Sequence, residues 1–194
     1  MERLSQQMQF IVEIDRLKTV LRQTPLIDQS RRENSAEHSW HLAIMAIALA
    51  DYAPEGADIF SAVKQVLIHD IVEIDAGDTF CYDANGNLDK AAREIAAADR
   101  IFGLLPQDQS QEFRALWDEF EAQATPTARF AAALDRIQPL LHNYHTQGGT
   151  WKQHSISKAQ VMKRMQPVET GAPKLWPMVL ETVENSVDEG FLTA

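Results

Sequence analysis

The chain has 194 residues, of which 45% are hydrophobic, and it carries a formal net charge of −10 at pH 7. This length and composition predict a globular domain with a sizeable core, and the negative charge argues against generic binding to a nucleic acid polymer or an anionic membrane. No apolar run approaches the ~18 residues that a membrane span needs. The first ten residues contain no apolar stretch typical of a signal peptide, and the one cysteine, Cys81, excludes an internal disulfide. Both observations predict a cytoplasmic protein.

The spacing of apolar residues predicts an all-α fold, because they recur every three or four positions along most of the chain. In chain order, we predict helices over about residues 4–21, 35–52, 59–74, 89–105, 110–123, 126–144, 157–165 and 175–189. We expect one domain over residues 1–194, with a core of about 5–145 and a C-terminal helical extension of about 150–194.

Several helix boundaries carry capping signals. Asn34 or Ser35 can cap the second predicted helix, because a short polar side chain accepts a hydrogen bond from the first helical turn. Gly77 is expected to end the third helix. The Thr125-Pro126 pair supplies an N-cap and a first helical residue for the sixth.

A histidine and an aspartate, His69 and Asp70, lie side by side in the otherwise apolar third helix. Burying both groups is costly unless a metal ion, or a local hydrogen bond or salt bridge, satisfies them. Glu73 projects near the same helical face, and Asp75 and Asp78 follow. Carboxylates this close repel one another without a cation, so the segment predicts a metal site, although a solvated acidic helix end would also explain Asp75.

Two further metal ligands are predicted on other helices. His38 lies on the apolar face of the second helix, and we favour it over His41, whose helical neighbours are less apolar. Asp135 borders the apolar face of the sixth helix, where the alternative is a surface charge pair with Arg136. With the His-Asp pair, these residues supply two imidazoles and two carboxylates. Such a mixed set suits Mn²⁺, Co²⁺, Fe²⁺, Zn²⁺ or Ni²⁺, whereas Mg²⁺, a further candidate, prefers oxygen ligands.

This order of His, His-Asp and Asp on three helices resembles that of the HD superfamily of metal-dependent phosphohydrolases, and most of all its 5′-deoxynucleotidase family. The resemblance covers about residues 5–145 and rests on the strings RRENSAEHSWHLA, VLIHDIVEIDAGD, IFGLLP, ALWDEFEAQATPTARF and AALDRI. It implies an HD-domain bundle of about six to eight helices around a divalent metal site. It also implies a phosphomonoesterase that converts (2′-deoxy)nucleoside 5′-monophosphates to nucleoside and phosphate.

The resemblance implies roles for individual residues. Those that match the family's ligands for one divalent cation are His38, His69, Asp70 and Asp135. Glu73 matches an acidic residue that serves in catalysis or holds a second cation. Asp78 matches a residue that contacts the substrate sugar or the second cation, and the main-chain carbonyl of Thr79 could complete that second site. Asp70, Glu73 and Asp78 are therefore the catalytic candidates.

The chain departs from the family pattern at the residues that hold the phosphate. Some members carry an Arg-Trp pair shortly before the first ligand helix, and the equivalent spacing here falls on Gln23-Thr24. Arg22 is adjacent, and Arg31 and Arg32 also lie in reach. We expect one of these three arginines to contact the phosphate.

The predicted partner is a small nucleotide, and similar proteins imply a homodimer. One alternative is another HD phosphohydrolase, which acts on a cyclic or pyrophosphorylated nucleotide. Another is a non-catalytic nucleotide-binding module, although such a module would be expected to lack a metal ligand. A di-iron oxygenase would need further histidines, for which His142, His145 and His154 could be invoked.

Overall fold

The computed structural model describes residues 1–193, so residue 194, the last of the predicted domain, lies outside the described residues. The eight α-helices of ten or more residues among them are α1 (Glu2–Glu13), α2 (Ser35–Ala48), α3 (Ile59–Ile68), α5 (Lys90–Phe102), α6 (Gln107–Ala122), α7 (Pro126–His145), α9 (Lys158–Gly171) and α10 (Trp176–Asp188). Two short helices are α4 (Glu73–Ala76) and α8 (Gly149–Gln153). The all-α prediction is thus confirmed, and the eight longer helices agree with the predicted number of about six to eight.

A small antiparallel sheet interrupts the predicted helical start of the chain. α1 ends at Glu13, a 3-10 segment follows over Ile14–Thr19, and β1 (Leu21–Pro25) then pairs with β2 (Arg32–Asn34). The prediction of one helix over 4–21 was therefore wrong. Leu17 is buried in the 3-10 segment, so the apolar spacing continued past the end of the α-helix and concealed the change.

The two helices with the clearest capping signals begin as predicted. The Asn34 side chain accepts a hydrogen bond from the Glu37 main chain, and the Glu37 carboxylate accepts one from the Asn34 main chain, which completes a capping box for α2. Thr125 caps α7 by accepting a hydrogen bond from the Ala128 main chain at 3.1 Å. These caps fix the starting points of the helices that carry His38 and Asp135.

The third predicted helix is not a continuous α-helix, because its backbone becomes a 3-10 helix at the His-Asp pair. α3 ends at Ile68, a 3-10 segment covers His69–Val72, and α4 continues to Ala76. Gly77 has φ +74°, a left-handed conformation that favours glycine, so it ends the helix as predicted. Because 3-10 geometry eclipses side chains three residues apart, the segment presents its polar residues differently from a continuous α-helix.

The C-terminal helices share the core of the preceding helices. α9 packs closely along α7, and at their crossing a Cβ on Gly171 would lie 2.3 Å from the Arg129 carbonyl oxygen. α9 extends to Gly171, beyond the predicted end at residue 165, and brings Arg164 to Asp135 in the middle of α7. Val161, Met165, Val179 and the other apolar residues of α9 and α10 join the cluster formed by α2, α3 and α7.

Within residues 1–193, no helix combines the length and apolar character that crossing a bilayer would require.

Candidate metal centre

Side chains from three distant segments meet between α2, the 3-10 segment after α3, and α7. His38 comes from α2, His69 and Asp70 from the 3-10 segment, and Asp135 from α7. His38 Nε2 lies 2.9 Å from Asp135 Oδ1 and 3.9 Å from Asp70 Oδ2. One ligand atom each of His38, His69 and Asp135 lies within 4.8 Å of the others. The structure therefore brings all four predicted ligands together.

The donor atoms fit a cation. His69 Nε2 is buried without a hydrogen-bond partner among the described residues, although Asp70 Oδ1 lies 3.0 Å away and Asp135 Oδ1 3.8 Å away. Its Nδ1 lies 2.9 Å from the Val66 carbonyl oxygen, which accepts the Nδ1 hydrogen, so Nε2 is the nitrogen that faces the cluster and can bind a cation once it loses its proton. Two imidazole nitrogens and two carboxylates form a set that divalent transition metals accept.

Charges within the cluster strongly shift the pKa values of its side chains. Burial alone would raise the pKa of Asp135, but the close contact with His38 and the neighbouring imidazole of His69 hold that pKa well below its ordinary value. Burial alone would lower the pKa of His69, but the charges of Asp70 and Asp135 raise it to about 9. Without a cation, the cluster thus holds a proton on His69 at neutral pH.

Glu73, a predicted catalytic residue, is buried beside the cluster. Ser35 Oγ donates a hydrogen bond to Glu73 Oε2 at 2.6 Å, so the start of α2 orients this carboxyl. Burial and the charge of Asp70 raise the pKa of Glu73 well above its ordinary value. Asp78 lines the same cavity as Glu73, and burial likewise raises the pKa of its carboxyl. Thr79 also lines the cavity, and its hydroxyl accepts a hydrogen bond from Arg93 at 3.1 Å.

Only one of the three candidate arginines reaches the cluster. Arg22 Nη1 lies 3.0 Å from Asp70 Oδ2 and 3.9 Å from Asp78 Oδ1, and its side chain is 13% exposed. Arg31 instead pairs with Glu37 at the surface, and Arg32 is exposed. Neither Arg31 nor Arg32 lines the cavity, which favours Arg22 as the phosphate contact.

A second arginine at the site was missed from the sequence. Arg164 Nη2 of α9 lies 3.4 Å from Asp135 Oδ2, and the side chain lines the same cavity of about 180 Å³. Arg164 lies outside residues 5–145, and no local motif marks it. Only the packing of α9 along α7 places it at the site.

A group of polar residues lies behind His38, on the side away from Asp135. Glu33, His41 and His142 each offer one potential ligand atom within 4.8 Å of the others. The Gln138 amide nitrogen lies among them, 2.6 Å from Glu33 Oε1 and 3.1 Å from His142 Nε2. His41 therefore belongs to this second group, whereas His38 belongs to the cluster, in line with the sequence preference.

The other late histidines lie outside both groups. His145 is exposed, and His154 is exposed and contacts Phe80 in a tilted arrangement with ring centroids 4.6 Å apart. They give no support to a second histidine-rich metal site of the oxygenase type.

Comparisons with known proteins agree with the geometry. Residues 14–176 match the family model of the HD domain. The human protein named 5′-deoxynucleotidase HDDC2 is 30% identical over 135 residues, which cover 69% of this chain and 65% of the human protein. The Xenopus laevis protein of the same name is 29% identical over 135 residues, covering 69% of this chain and 66% of that protein. The chain thus matches slightly less than two thirds of the length of these relatives.

A solved structure resembles the whole chain. It is the crystal structure of a predicted metal-dependent phosphohydrolase from Magnetospirillum magnetotacticum MS-1, with 55% sequence identity and a TM-score of 0.95 over 100% of both chains.

Proposed function

We propose that the chain, which belongs to the HD domain family, is a metal-dependent phosphohydrolase that converts (2′-deoxy)nucleoside 5′-monophosphates to nucleoside and phosphate. The observation that carries the proposal is the meeting of two imidazoles and two carboxylates beside a buried arginine in one cavity. The names of the human and Xenopus laevis relatives support this substrate class.

The proposed ligands of the cation are His38, His69, Asp70 and Asp135. When bound, a divalent cation polarises a phosphoryl oxygen and lowers the pKa of water from ~15.7 toward ~7. Glu73, Asp78 and the main-chain carbonyl of Thr79 are proposed to hold a second cation where two ions bind.

Glu73 is the proposed acceptor of the proton from the attacking water. Its Oε2 is held by Ser35, which leaves Oε1 for the water. A general base works best when its pKa lies near the working pH, and burial moves the pKa of Glu73 in that direction. Asp70 is proposed to orient the reacting phosphate through Arg22, and Asp78 to contact the sugar.

Two arginines are proposed to neutralise the phosphate. Arg22 approaches from the Asp70 side and Arg164 from the Asp135 side, so a phosphate in the cavity would lie between two guanidinium groups. Charge-assisted hydrogen bonds from arginine to phosphate are stronger than neutral ones. This arrangement supports an anionic substrate despite the net negative charge of the chain.

The cavity also has an aromatic lining. Phe80, Tyr82 and Trp151 contribute to it together with polar groups. Aromatic side chains offer flat apolar surfaces to a nucleobase. This composition supports a substrate that carries a nucleoside rather than a small inorganic or sugar phosphate alone.

We also propose a homodimer. Trp40, Ile44 and Ile47 follow one another at helical spacing on α2 and are 63%, 47% and 61% exposed. An apolar stripe of this kind is typical of an association surface.

The function is tested by phosphate release from deoxy- and ribonucleoside 5′-monophosphates with Mn²⁺, Co²⁺ or Mg²⁺. Cyclic and pyrophosphorylated nucleotides complete the substrate panel. We expect release from 5′-monophosphates, and none from a folded Asp70→Ala variant. Release only from the cyclic or pyrophosphorylated compounds would overturn the monoesterase proposal, and a silent wild-type enzyme would overturn hydrolysis of nucleotides altogether.

A further inference from the structure

The buried polar group behind His38 forms a continuous chain of hydrogen bonds that ends on that histidine. His38 Nδ1 lies 3.2 Å from Gln138 Oε1, on the opposite side of the ring from the Nε2 atom that faces Asp135. His38 and Gln138 are 0% exposed, Glu33 is 1% exposed and His142 3% exposed. Water therefore cannot take over these contacts readily.

The orientation of the Gln138 amide follows from its partners. An ionised carboxylate only accepts hydrogen bonds, so the nitrogen of the amide must face Glu33 Oε1, which lies 2.6 Å away. The same nitrogen lies 3.1 Å from His142 Nε2. The amide oxygen is thereby directed at His38 Nδ1.

His142 is fixed in turn by the small sheet. Its Nδ1 lies 3.1 Å from the carbonyl oxygen of Pro25 in β1, and a carbonyl only accepts. Nδ1 must then carry the hydrogen, so Nε2 has a lone pair and can accept the second hydrogen of the Gln138 amide. From Pro25 to His38, each hydrogen bond thus pairs one donor with one acceptor.

The last contact of this hydrogen-bond network determines which nitrogen of His38 carries the hydrogen. The Gln138 oxygen accepts a hydrogen from His38 Nδ1, and Glu33 Oε2, 3.6 Å from the same nitrogen, is also an acceptor. Either contact keeps the hydrogen on Nδ1, so the Nε2 lone pair is available on the Asp135 side. Partners of this kind orient metal-binding imidazoles and raise their basicity.

We infer that Gln138 is a positioning residue for the metal centre, which holds His38 in the Nδ1–H form with Nε2 directed at the cation, and that Glu33, His142 and the Pro25 carbonyl fix the amide in this orientation. The inference rests on the metal-binding role proposed for His38 and not on the identity of the substrate. It also explains the group of Glu33, His41 and His142, because the amide nitrogen lies where a cation shared by these residues would be placed.

The matched variants are Gln138→Leu and Gln65→Leu. Both glutamines are 0% exposed, but the Gln65 amide has no hydrogen-bond partner among the described residues and does not line the cavity. We expect Gln138→Leu to weaken Zn²⁺ binding by about 10- to 100-fold in competition with a chromogenic chelator, the loss usual for partners of ligating histidines. Gln65→Leu should bind Zn²⁺ as the wild type does. Equal Zn²⁺ affinity of both variants and the wild type would overturn the inference.

A second measurement needs only the wild-type protein, in case Gln138→Leu does not fold. In the Zn²⁺-loaded protein with ¹⁵N-labelled histidine, we expect His38 to show a metal-shifted Nε2 and a slowly exchanging Nδ1–H. Ligation through Nδ1, or a rapidly exchanging Nδ1–H, would overturn the role of Gln138 while leaving hydrolysis intact. A His38 spectrum unaffected by Zn²⁺ would overturn the proposed metal site as well.

Discussion

His38 and Asp135 lie 97 residues apart in the sequence, yet His38 Nε2 is 2.9 Å from Asp135 Oδ1. The contact joins the first turns of α2 to the middle of α7, two helices of the same core. Asp70 and His69 approach it from a third segment, so the cluster depends on the tertiary packing of three elements. The packing of these three elements thus brings the four proposed ligand side chains together.

Metal binding should stabilise the folded chain through this cluster. A ligand that binds only the folded state adds about 2.7 kcal/mol to the free energy of unfolding at a concentration 100 times its Kd. We expect this gain for the wild type in Mn²⁺, measured by urea unfolding with and without the ion, and loss of most of it in Asp135→Asn. Asp188→Asn, an exposed aspartate on α10, is the control and should keep the gain. A full gain in Asp135→Asn would contradict the role of Asp135 as a ligand.

Metal affinity should rise with pH. In the metal-free protein the pKa of His69 is raised to about 9, and an imidazolium cannot bind a cation. Between pH 7 and 9 the cation must therefore displace a proton, so the affinity should increase by up to about tenfold per pH unit and level off near pH 9. Calorimetry in two buffers of different ionisation enthalpy should detect about one proton released at pH 7.5.

The raised pKa of His69 has the opposite effect on the stability of the metal-free fold, which should fall as the pH rises. Because the folded pKa of His69 is raised above the ordinary value of 6.5, its contribution to stability is fully present below pH 6.5 and is lost as the pH rises through 9.

A metal affinity that does not depend on pH from 7 to 9 would show that His69 is not protonated in the metal-free state.

Glu73→Gln should separate proton transfer from metal binding. Removal of a general base typically lowers kcat by about 10²- to 10⁴-fold. We expect a fall of that size in phosphate release, with Mn²⁺ affinity at the four-residue site within a few-fold of wild type. Glu55→Gln, at an exposed position, should retain wild-type kcat. A variant at position 73 with undiminished kcat would exclude Glu73 as the base.

Four arginine variants distinguish the candidates for the phosphate contact. Loss of one hydrogen bond to a charged group costs about 1.5–3 kcal/mol, or roughly 10- to 100-fold in kcat/KM. We expect this loss for Arg22→Ala and a smaller loss for the partly exposed Arg164→Ala. Arg31→Ala and Arg32→Ala should remain near wild type, because neither side chain lines the cavity. A larger effect at Arg31 or Arg32 than at Arg22 would contradict the assignment.

Features that depend on local chemistry could be predicted from the sequence. Thr125-Pro126 and Asn34 begin α7 and α2 because their capping bonds form within one helical turn. Gly77 ends α4 because its φ of +74° is strained for other residues. Histidines and carboxylates among apolar residues predicted the cluster, since burial requires a partner for each of them.

Features that depend on distant packing could not be predicted. β1 and β2 are five and three residues long, and neither LRQTP nor REN shows the alternation of a half-buried strand. The contacts of Gln138 could not be foreseen, because Glu33 and His38 come from β2 and α2, although His142 lies one turn further along α7. The contact of Arg164 with Asp135 likewise requires the packing of α9 on α7.

The most direct test is the anomalous difference map of a crystal grown with Zn²⁺, recorded at the zinc edge. The account predicts a peak enclosed by His38, His69, Asp70 and Asp135, with nitrogen and oxygen atoms at about 2.0–2.2 Å. A peak among Glu33, His41 and His142 instead, or four predicted ligands that do not touch the ion, would contradict it.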